Sequence, residues 1–276
     1  MPTVLVTGAA RGIGRSIATH LAERGWDVIA GVRNTQDADA IAALNPQRIS
    51  AVLLDVTNDA HIAALTESIG PRLDGIVNNA GIAVTGPMET VSSEEWRKQL
   101  EVNVVGQLAV TRVVLPLLRE SKGRVVFISS VNGQLAMPML GAYSASKFAL
   151  EAAADSMRME LRPWGIRVVI VEPAQTDTDM WQTADTAVKE SEEAMTPEHR
   201  ELYSRHIAGM KKLIPTSQRI AVSPAKVSAV VEEALTKRRP RARYVVGIGP
   251  KLQTVLVTNM PAAVRDRVLR KVAGQP

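Results

Sequence analysis

Short runs rich in Val, Ile and Leu alternate with stretches of helical spacing along most of the chain. TVLVT (3–7), DVIAGV (27–32), ISAVLL (49–54), LDGIVN (73–78), GRVVFIS (123–129) and IRVVIV (166–171) read as strands, and RYVVG (243–247) as a seventh. Helices are expected over 12–24, 37–44, 58–69, within 92–119, over 142–162 and over 224–237. Strands that are almost continuously apolar are buried on both faces, as in parallel sheets. The repeated β-α-β order predicts an α/β fold: a doubly wound parallel sheet of about seven strands, helices on both faces, in one domain covering 1–276. One segment breaks the rhythm. Residues 177–222 have no strand pattern and mix charge with methionine, and they read as two short helices inserted after the sixth strand. Open α/β sheets bind ligands at the carboxyl ends of their strands. The insertion is therefore either a lid over a site or a solvated excursion.

The first strand runs into TGAARGIG, with Gly8, Gly12 and Gly14 at the entry to a helix. Glycines there permit a tight turn and let backbone N–H groups approach a pyrophosphate, to which the helix N-terminus adds partial positive charge. The spacing is not the G-x-G-x-x-G of the common dinucleotide fingerprint, so an ordinary tight turn is the competing explanation. An acid at the end of the second strand would hold a ribose 2′-hydroxyl. Val32 and Arg33 stand there instead, and Arg11 lies in the glycine loop. Two guanidinium groups suit a 2′-phosphate, which favours NADP(H) over NAD(H). Asp55, at the end of the third strand, either accepts from an adenine amino group or caps the next helix.

Composition narrows the picture. The chain of 276 residues contains no cysteine, which excludes disulfides, thiolate nucleophiles and cysteine-ligated metals. Its apolar runs look too short for a signal peptide or for the ~20 residues of a membrane span, so a cytoplasmic protein is expected. The net charge is +5, but ten of the 33 basic residues and one of the 28 acidic residues lie from Lys237 onward, leaving 23 basic against 27 acidic before it. The basic character thus belongs to the tail, including a C-terminal extension over 248–276. KRRPRAR (237–243) reads as a solvated turn, and PAAVRDRVLRKVAG (261–274) as an amphipathic helix packed on its own domain, a subunit contact or a membrane surface. Aromatics make up only 3%, so a base-stacking platform and a nucleic-acid partner are not expected. His20, His61, His199 and His206 show no metal-ligand spacing.

YSASK (143–147) puts a phenol and an ammonium on one helical face. It falls in an ordered series: TGAARGIG (7–14), Asp55, NNAG (78–81), Asn103 in NVVG, Ser130 in ISSVNG, YSASK, and EPAQTDT (172–178). This series resembles the short-chain dehydrogenase/reductase family in its compact form, from residue 3 to about 247. AYSASKFALEAAADSMRMELRPWGI and RARYVVG look most like the branch of retinol and hydroxysteroid dehydrogenases. The resemblance implies a Rossmann fold and a role for each motif. Tyr143 is then the acid/base, Lys147 holds the nicotinamide ribose and lowers the tyrosine pKa, Ser130 bonds the reacting oxygen, and Asn103 holds a water of a proton relay. Gly8, Arg11, Gly12, Ile13, Gly14, Arg33, Asp55, Val56, Asn79, Ala80, Pro173, Thr176 and Thr178 are then the remaining cofactor contacts. A phenol of pKa ~10 is poorly matched to neutral pH, and a cation within ~4–6 Å lowers such a pKa by ~1–3 units. The chain departs from the family at Ala174, where glycine is usual after Pro173, and at Thr176, where an apolar residue is usual.

The expected activity is hydride exchange between NADP(H) and an alcohol or ketone, in a homodimer or homotetramer. Met180, Trp181, Met195, Tyr203, Met210 and Leu213 in the insertion point to a lipophilic substrate. The competing classes are a non-catalytic nucleotide sensor on the same fold and a membrane- or nucleic-acid-associated protein acting through its tail.

Overall fold

The computed structural model describes residues 1–177, 184–219, 221–247 and 256–275. Seven parallel strands form one sheet: β1 (Thr3–Thr7), β2 (Asp27–Val32), β3 (Ile49–Leu53), β4 (Gly75–Asn78), β5 (Arg124–Ile128), β6 (Arg167–Pro173) and β7 (Arg243–Val246). Their spatial order is β3-β2-β1-β4-β5-β6-β7. The order reverses between β1 and β4, and at such a switch point the flanking loops part to leave a crevice. Both faces of the sheet are covered, which explains the unbroken apolar runs. Val4 and Val6 point to one layer and Leu5 to the other; Val126 and Ile128 oppose Val125 and Phe127 in the same way.

The first layer holds α1 (Gly12–Glu23), α2 (Thr35–Ala42) and α11 (Pro224–Thr236), through Ile17, Leu21, Ile41, Val227 and Val231. The second holds α3 (Asp59–Ala63), α4 (Leu65–Ile69), α6 (Gln107–Ser121) and α7 (Gly141–Glu160), through Ile62, Leu65, Val110, Val114, Leu118 and Leu150. Capping side chains start several helices. Asn34 accepts from Asp37 N–H for α2, and Asn58 from the N–H groups of Ala60 and His61 for α3. Ser92 and Glu95 close a capping box on α5 (Ser93–Leu100). Each such cap satisfies donors the helix leaves open and is worth about 1 kcal/mol.

Three elements differ from the expectation. The helix expected over 58–69 is two, parted at Ala64. The long helix within 92–119 contains a π turn (Glu101–Gly106) between α5 and α6. A Cβ at Gly106 would collide with the Val56 carbonyl, so only glycine lets this turn lie against the loop after β3. Among its described residues the insertion has three helices where two were expected: α8 (Ala184–Ala194), α9 (Pro197–Leu202) and α10 (Ser204–Arg219). They share a small core of Val188, Met195, Ile207, Met210 and Ile214, which closes on Met139, just ahead of α7.

The helical run Ser93–Ser121, at 29 residues with a window of mean hydropathy 1.4, is long and apolar enough to cross a membrane by length and composition. This corrects the expectation that no stretch is. Its Val110, Val114 and Leu118 are fully buried against the sheet. The last helix, α12 (Ala262–Val272), leaves Val264 and Val272 exposed; just after it, Ala273 is buried and Gln275 bonds the His206 carbonyl of α10.

Candidate active site

The crevice between β1 and β4 is held at a fixed width by one hydroxyl. Thr7 Oγ1, fully buried at the end of β1, accepts from Asn79 N–H at 2.9 Å and from Ala80 N–H at 3.0 Å. Asn79 returns the contact, its side-chain amide donating to the carbonyls of Thr7 (3.0 Å) and Gly8 (3.1 Å). Gly8 and Gly12 have φ of +63° and +54°, values that only glycine adopts without strain. A Cβ at Gly14 would collide with the Gly8 carbonyl and the Asn79 amide. These glycines shape a backbone cradle at the start of α1, with Ile13 partly buried beneath it. Such a cradle fits the pyrophosphate of a dinucleotide, since backbone and helix terminus both favour an anion.

At the adenosine end, Arg11 and Arg33 are exposed, and among the described residues neither makes an ion pair. Arg33 and Asn34, not a carboxylate, directly follow β2, so the donor set fits a phosphate-bearing ribose. Asp55 does not cap a helix; Asn58 does. Its Oδ1 instead accepts from Thr57 N–H (2.9 Å) and Thr57 Oγ1 (2.7 Å), while its own N–H donates to His61 Nδ1 at 3.1 Å. Burial raises this carboxyl, but the Thr57 bonds and the nearby Arg33 and His61 outweigh it and leave the pKa below the usual value. Val56 beside it is buried.

The other end of the crevice holds the candidate reactive groups. Lys147, 4% exposed on α7, donates from Nζ to the carbonyl of Ile128, the last residue of β5, at 2.9 Å. Its Nζ lies 5.7 Å from the centre of the Tyr143 ring. Burial pulls the ammonium down to about 8, against an opposing pull from the Glu151 carboxylate. Ser130 follows β5 and is half-buried, and its Oγ accepts from Asn132 N–H at 3.1 Å. Burial raises the Tyr143 phenol above its usual value and the Ser130 hydroxyl beside it offsets this only in part, so the lowering expected from Lys147 does not appear. Phenol, hydroxyl and ammonium thus meet at the carboxyl end of β5.

Behind them lies a buried polar stripe. Gln99, Asn103, Gln107 and Thr111 recur every fourth residue along α5, the π turn and α6, and all four are fully buried. Asn103 accepts from Ile82 N–H (2.9 Å) and donates to the Ile82 carbonyl (2.9 Å) and to Ser146 Oγ (3.1 Å). Gln99 repeats the pattern on Val84 N–H (2.7 Å), the Ile82 carbonyl (3.0 Å) and Ser146 Oγ (3.3 Å). Gln107 donates to the Ala80 carbonyl at 2.6 Å. A π turn commonly marks a functional site inside a helix, and here it carries Asn103.

Pro173 ends β6 and is buried. Ala174 has no positive φ, so the replacement of glycine leaves no strain. Thr176 Oγ1 donates to the Ala174 carbonyl at 3.0 Å, a bond that an apolar residue would not make, and the backbone at Thr176 forms a β-bridge with Val222. Thr178, Met180 and Trp181 lie outside the described residues. Among the described residues no cluster of potential metal ligands occurs. His61 serves Asp55, and His20 bonds Glu232 of α11 at 2.7 Å.

The sequence reading missed Thr7, Gln99, Gln107, Glu151, Glu172 and Arg243. The four-residue polar spacing would have revealed the two glutamines. Arg243, assigned to a solvated turn, instead contacts Glu151, Asp155 and Glu172.

Comparison with known proteins agrees with this arrangement. The family model described as short chain dehydrogenase matches residues 2–189. Retinol dehydrogenase 5 of Mus musculus is 33% identical over 286 residues, 99% of this chain and 89% of that protein. 17-beta-hydroxysteroid dehydrogenase type 6 of Bos taurus is 35% identical over 289 residues, again 99% and 89%. A solved short chain dehydrogenase from Burkholderia cenocepacia in complex with NADP superposes with a TM-score of 0.75 at 25% identity, covering 97% of each chain. The chain belongs to the short chain dehydrogenase family, on the side of its retinol and hydroxysteroid dehydrogenases, and is an oxidoreductase of that family acting on alcohols.

The Thr7 hydroxyl accepts two buried N–H groups, so Thr7→Val leaves both without a partner. Unpaired buried donors cost about 1–3 kcal/mol each. The expected outcome is a clear loss in urea midpoint together with weaker dinucleotide binding by fluorescence titration, both restored in Thr7→Ser.

Proposed function

We propose that the protein is an NADP(H)-dependent alcohol/ketone oxidoreductase in which Tyr143 is the acid/base, Ser130 binds the reacting oxygen and Lys147 is the tuning and ribose-binding cation. The observation that carries the reading is the meeting of the Tyr143 phenol and the buried Lys147 ammonium beside Ser130 and a glycine cradle. Gly8, Gly12, Ile13 and Gly14 would hold the pyrophosphate, Arg11 and Arg33 the 2′-phosphate, Asp55 and Val56 the adenine, Asn79 and Ala80 the ribose side of the cleft, and Pro173 with Thr176 and Thr178 the carboxamide. A nicotinamide held there supplies or accepts the hydride. In the reduction direction the carbonyl oxygen lies against Ser130 and Tyr143. As negative charge grows on it, the phenol gives up its proton and the Lys147 charge stabilises the phenolate left behind. A phenol raised by burial is protonated at neutral pH, which is the state this step requires.

The substrate reading is a lipophilic alcohol or ketone. It is supported by the apolar lid core of Met195, Met210 and Ile214 on Met139 and Leu140, four and three residues before Tyr143, and by the names of the two relatives. The chain is further read as one domain with a lid over 177–222 and a C-terminal extension over 248–276, cytoplasmic in location. A homo-oligomer is supported by Val105, Phe148 and Met159, exposed on the helices that cover one face of the sheet.

Two experiments test this reading. Tyr143→Phe is expected to abolish turnover with NADPH affinity nearly intact, and Lys147→Ala to lose both; a Tyr143→Phe enzyme with near-normal rates would sink the mechanism. For the cofactor, Arg33→Ala removes a charged hydrogen bond, worth roughly 10–100-fold in affinity. The loss should fall on NADPH and spare NADH, and equal losses would show that Arg33 does not meet the 2′-phosphate.

A further inference from the structure

The face of α7 that carries Tyr143 and Lys147 continues at the same four-residue spacing to Glu151 and Asp155. Residues so spaced lie one above another on a helix, so four ionisable side chains form one stripe. Glu151, 5% exposed, is wedged between helix and sheet. Its Oε1 accepts from the hydroxyl of Ser129, the neighbour of Ser130, at 2.8 Å. A Cβ at Gly133 would collide with the same oxygen. Its Oε2 accepts from Arg243 Nε of β7 at 3.3 Å. Arg243 also donates from Nη2 to Asp155 at 2.6 Å, and Asp155 pairs with Arg158. A third carboxylate, Glu172 of β6, is fully buried. Its Oε2 accepts from Gln134 at 2.5 Å, while its Oε1 lies 3.4 Å from Arg243 Nε without making a hydrogen bond.

Arg243 Nε carries a single hydrogen, and two buried carboxylates stand beside it. Only Glu151 receives that bond. Two like charges sharing one cation favour a state in which one acid keeps its proton. Glu172 is that acid: burial first, then the Glu151 charge, push it up to about 8. Burial raises Glu151 too, and the Ser129 and Arg243 bonds offset this only in part. Of the two acids, Glu151 is the one bonded at both oxygens, and it lies one turn from Lys147. The groups around the ammonium are Tyr143 and Glu151 of α7 and the end of β5 with Ser129 and Ser130. Asp155, Arg158, Glu172, Gln134 and Arg243 stand behind Glu151.

We propose that Glu151, held by Ser129 and Arg243, is a positioning residue that supplies the counter-charge keeping the buried Lys147 ammonium protonated, while Glu172, left out of the Arg243 Nε bond, leaves that bond to Glu151. The proposal rests on the reading of Lys147 as the cofactor- and phenol-facing cation. A purely structural tie between β7 and α7 would cost stability on substitution without moving any pH profile.

The test is the affinity for NADPH, measured by fluorescence titration from pH 6 to 10. In the wild type, affinity holds while Lys147 is charged and falls as pH rises through about 8. Glu151→Gln removes the charge that supports the proton, so the fall moves to lower pH, by about one unit for a neighbouring charge; Glu151→Asp keeps the wild-type profile. Glu172→Gln matches the wild type at pH 7, where Glu172 is already neutral. A folded Glu151→Gln protein with the wild-type profile overturns the proposal. Should that variant fail to fold, a folded Glu151→Met protein, whose side chain fills the same space without the charge, overturns it if its profile is that of the wild type. Lys147→Ala separates the two readings: if its NADPH affinity and pH dependence equal those of the wild type, the role assigned to Lys147 falls, whatever the carboxylates do.

Discussion

A lysine ammonium is buried at the carboxyl end of β5, and much of the surrounding structure compensates for it. An isolated charge in a protein interior is costly and tends to lose its proton. Lys147 is offered a backbone carbonyl at Ile128, the face of the Tyr143 ring and the carboxylate of Glu151. Each comes from a different requirement of the fold. The carbonyl is free because β5 ends there. The ring and the carboxylate share its face because α7 repeats every fourth residue. The result is a cation whose charge is held only in part, with a pKa pulled down to about 8, close to the range in which enzymes work.

The second constraint is the crevice itself. Reversal of strand order between β1 and β4 parts the loops on either side, and the Thr7 hydroxyl with the Asn79 amide limits how far. The glycine cradle and the pair on α7 are therefore carried by one sheet. The buried stripe from Gln99 to Thr111 fastens the loop after β4 to the long helix, and through Ser146 to α7. The lid contributes less to this rigid part. Its own apolar core is small and touches the body through Met139 and its neighbours, ahead of Tyr143.

The sheet was legible in the sequence because strands buried on both faces need unbroken apolar runs. All seven strands fall where those runs lie, within two residues at their ends. The glycine loop and YSASK were legible because their chemistry needs particular residues at particular spacing. The break at Ala64 and the π turn were not, since neither changes the apolar pattern and the π turn depends on the approach of Val56 to Gly106. Arg243 was misread because its partners, Glu151 and Glu172, are 92 and 71 residues away, and only the pairing of β6 with β7 brings them together. Thr7 was passed over as the last residue of a strand, and its role appears only once β4 lies alongside β1. The membrane-span expectation failed for a related reason. A helix covering one face of a parallel sheet can be apolar enough to resemble a span while burying Val110, Val114 and Leu118 in a protein core.

The central claim is that this crevice transfers a hydride between a bound nicotinamide and a carbon bearing an oxygen. Isotope transfer tests it most directly. The protein is incubated with NADPH carrying deuterium at C4 of the nicotinamide, in both stereochemical forms, and a panel of lipophilic ketones and aldehydes. Mass spectrometry of the alcohol products should find one deuterium on the carbinol carbon, from one of the two labelled forms only. Absence of label in every product, from protein that binds NADPH, would contradict the account.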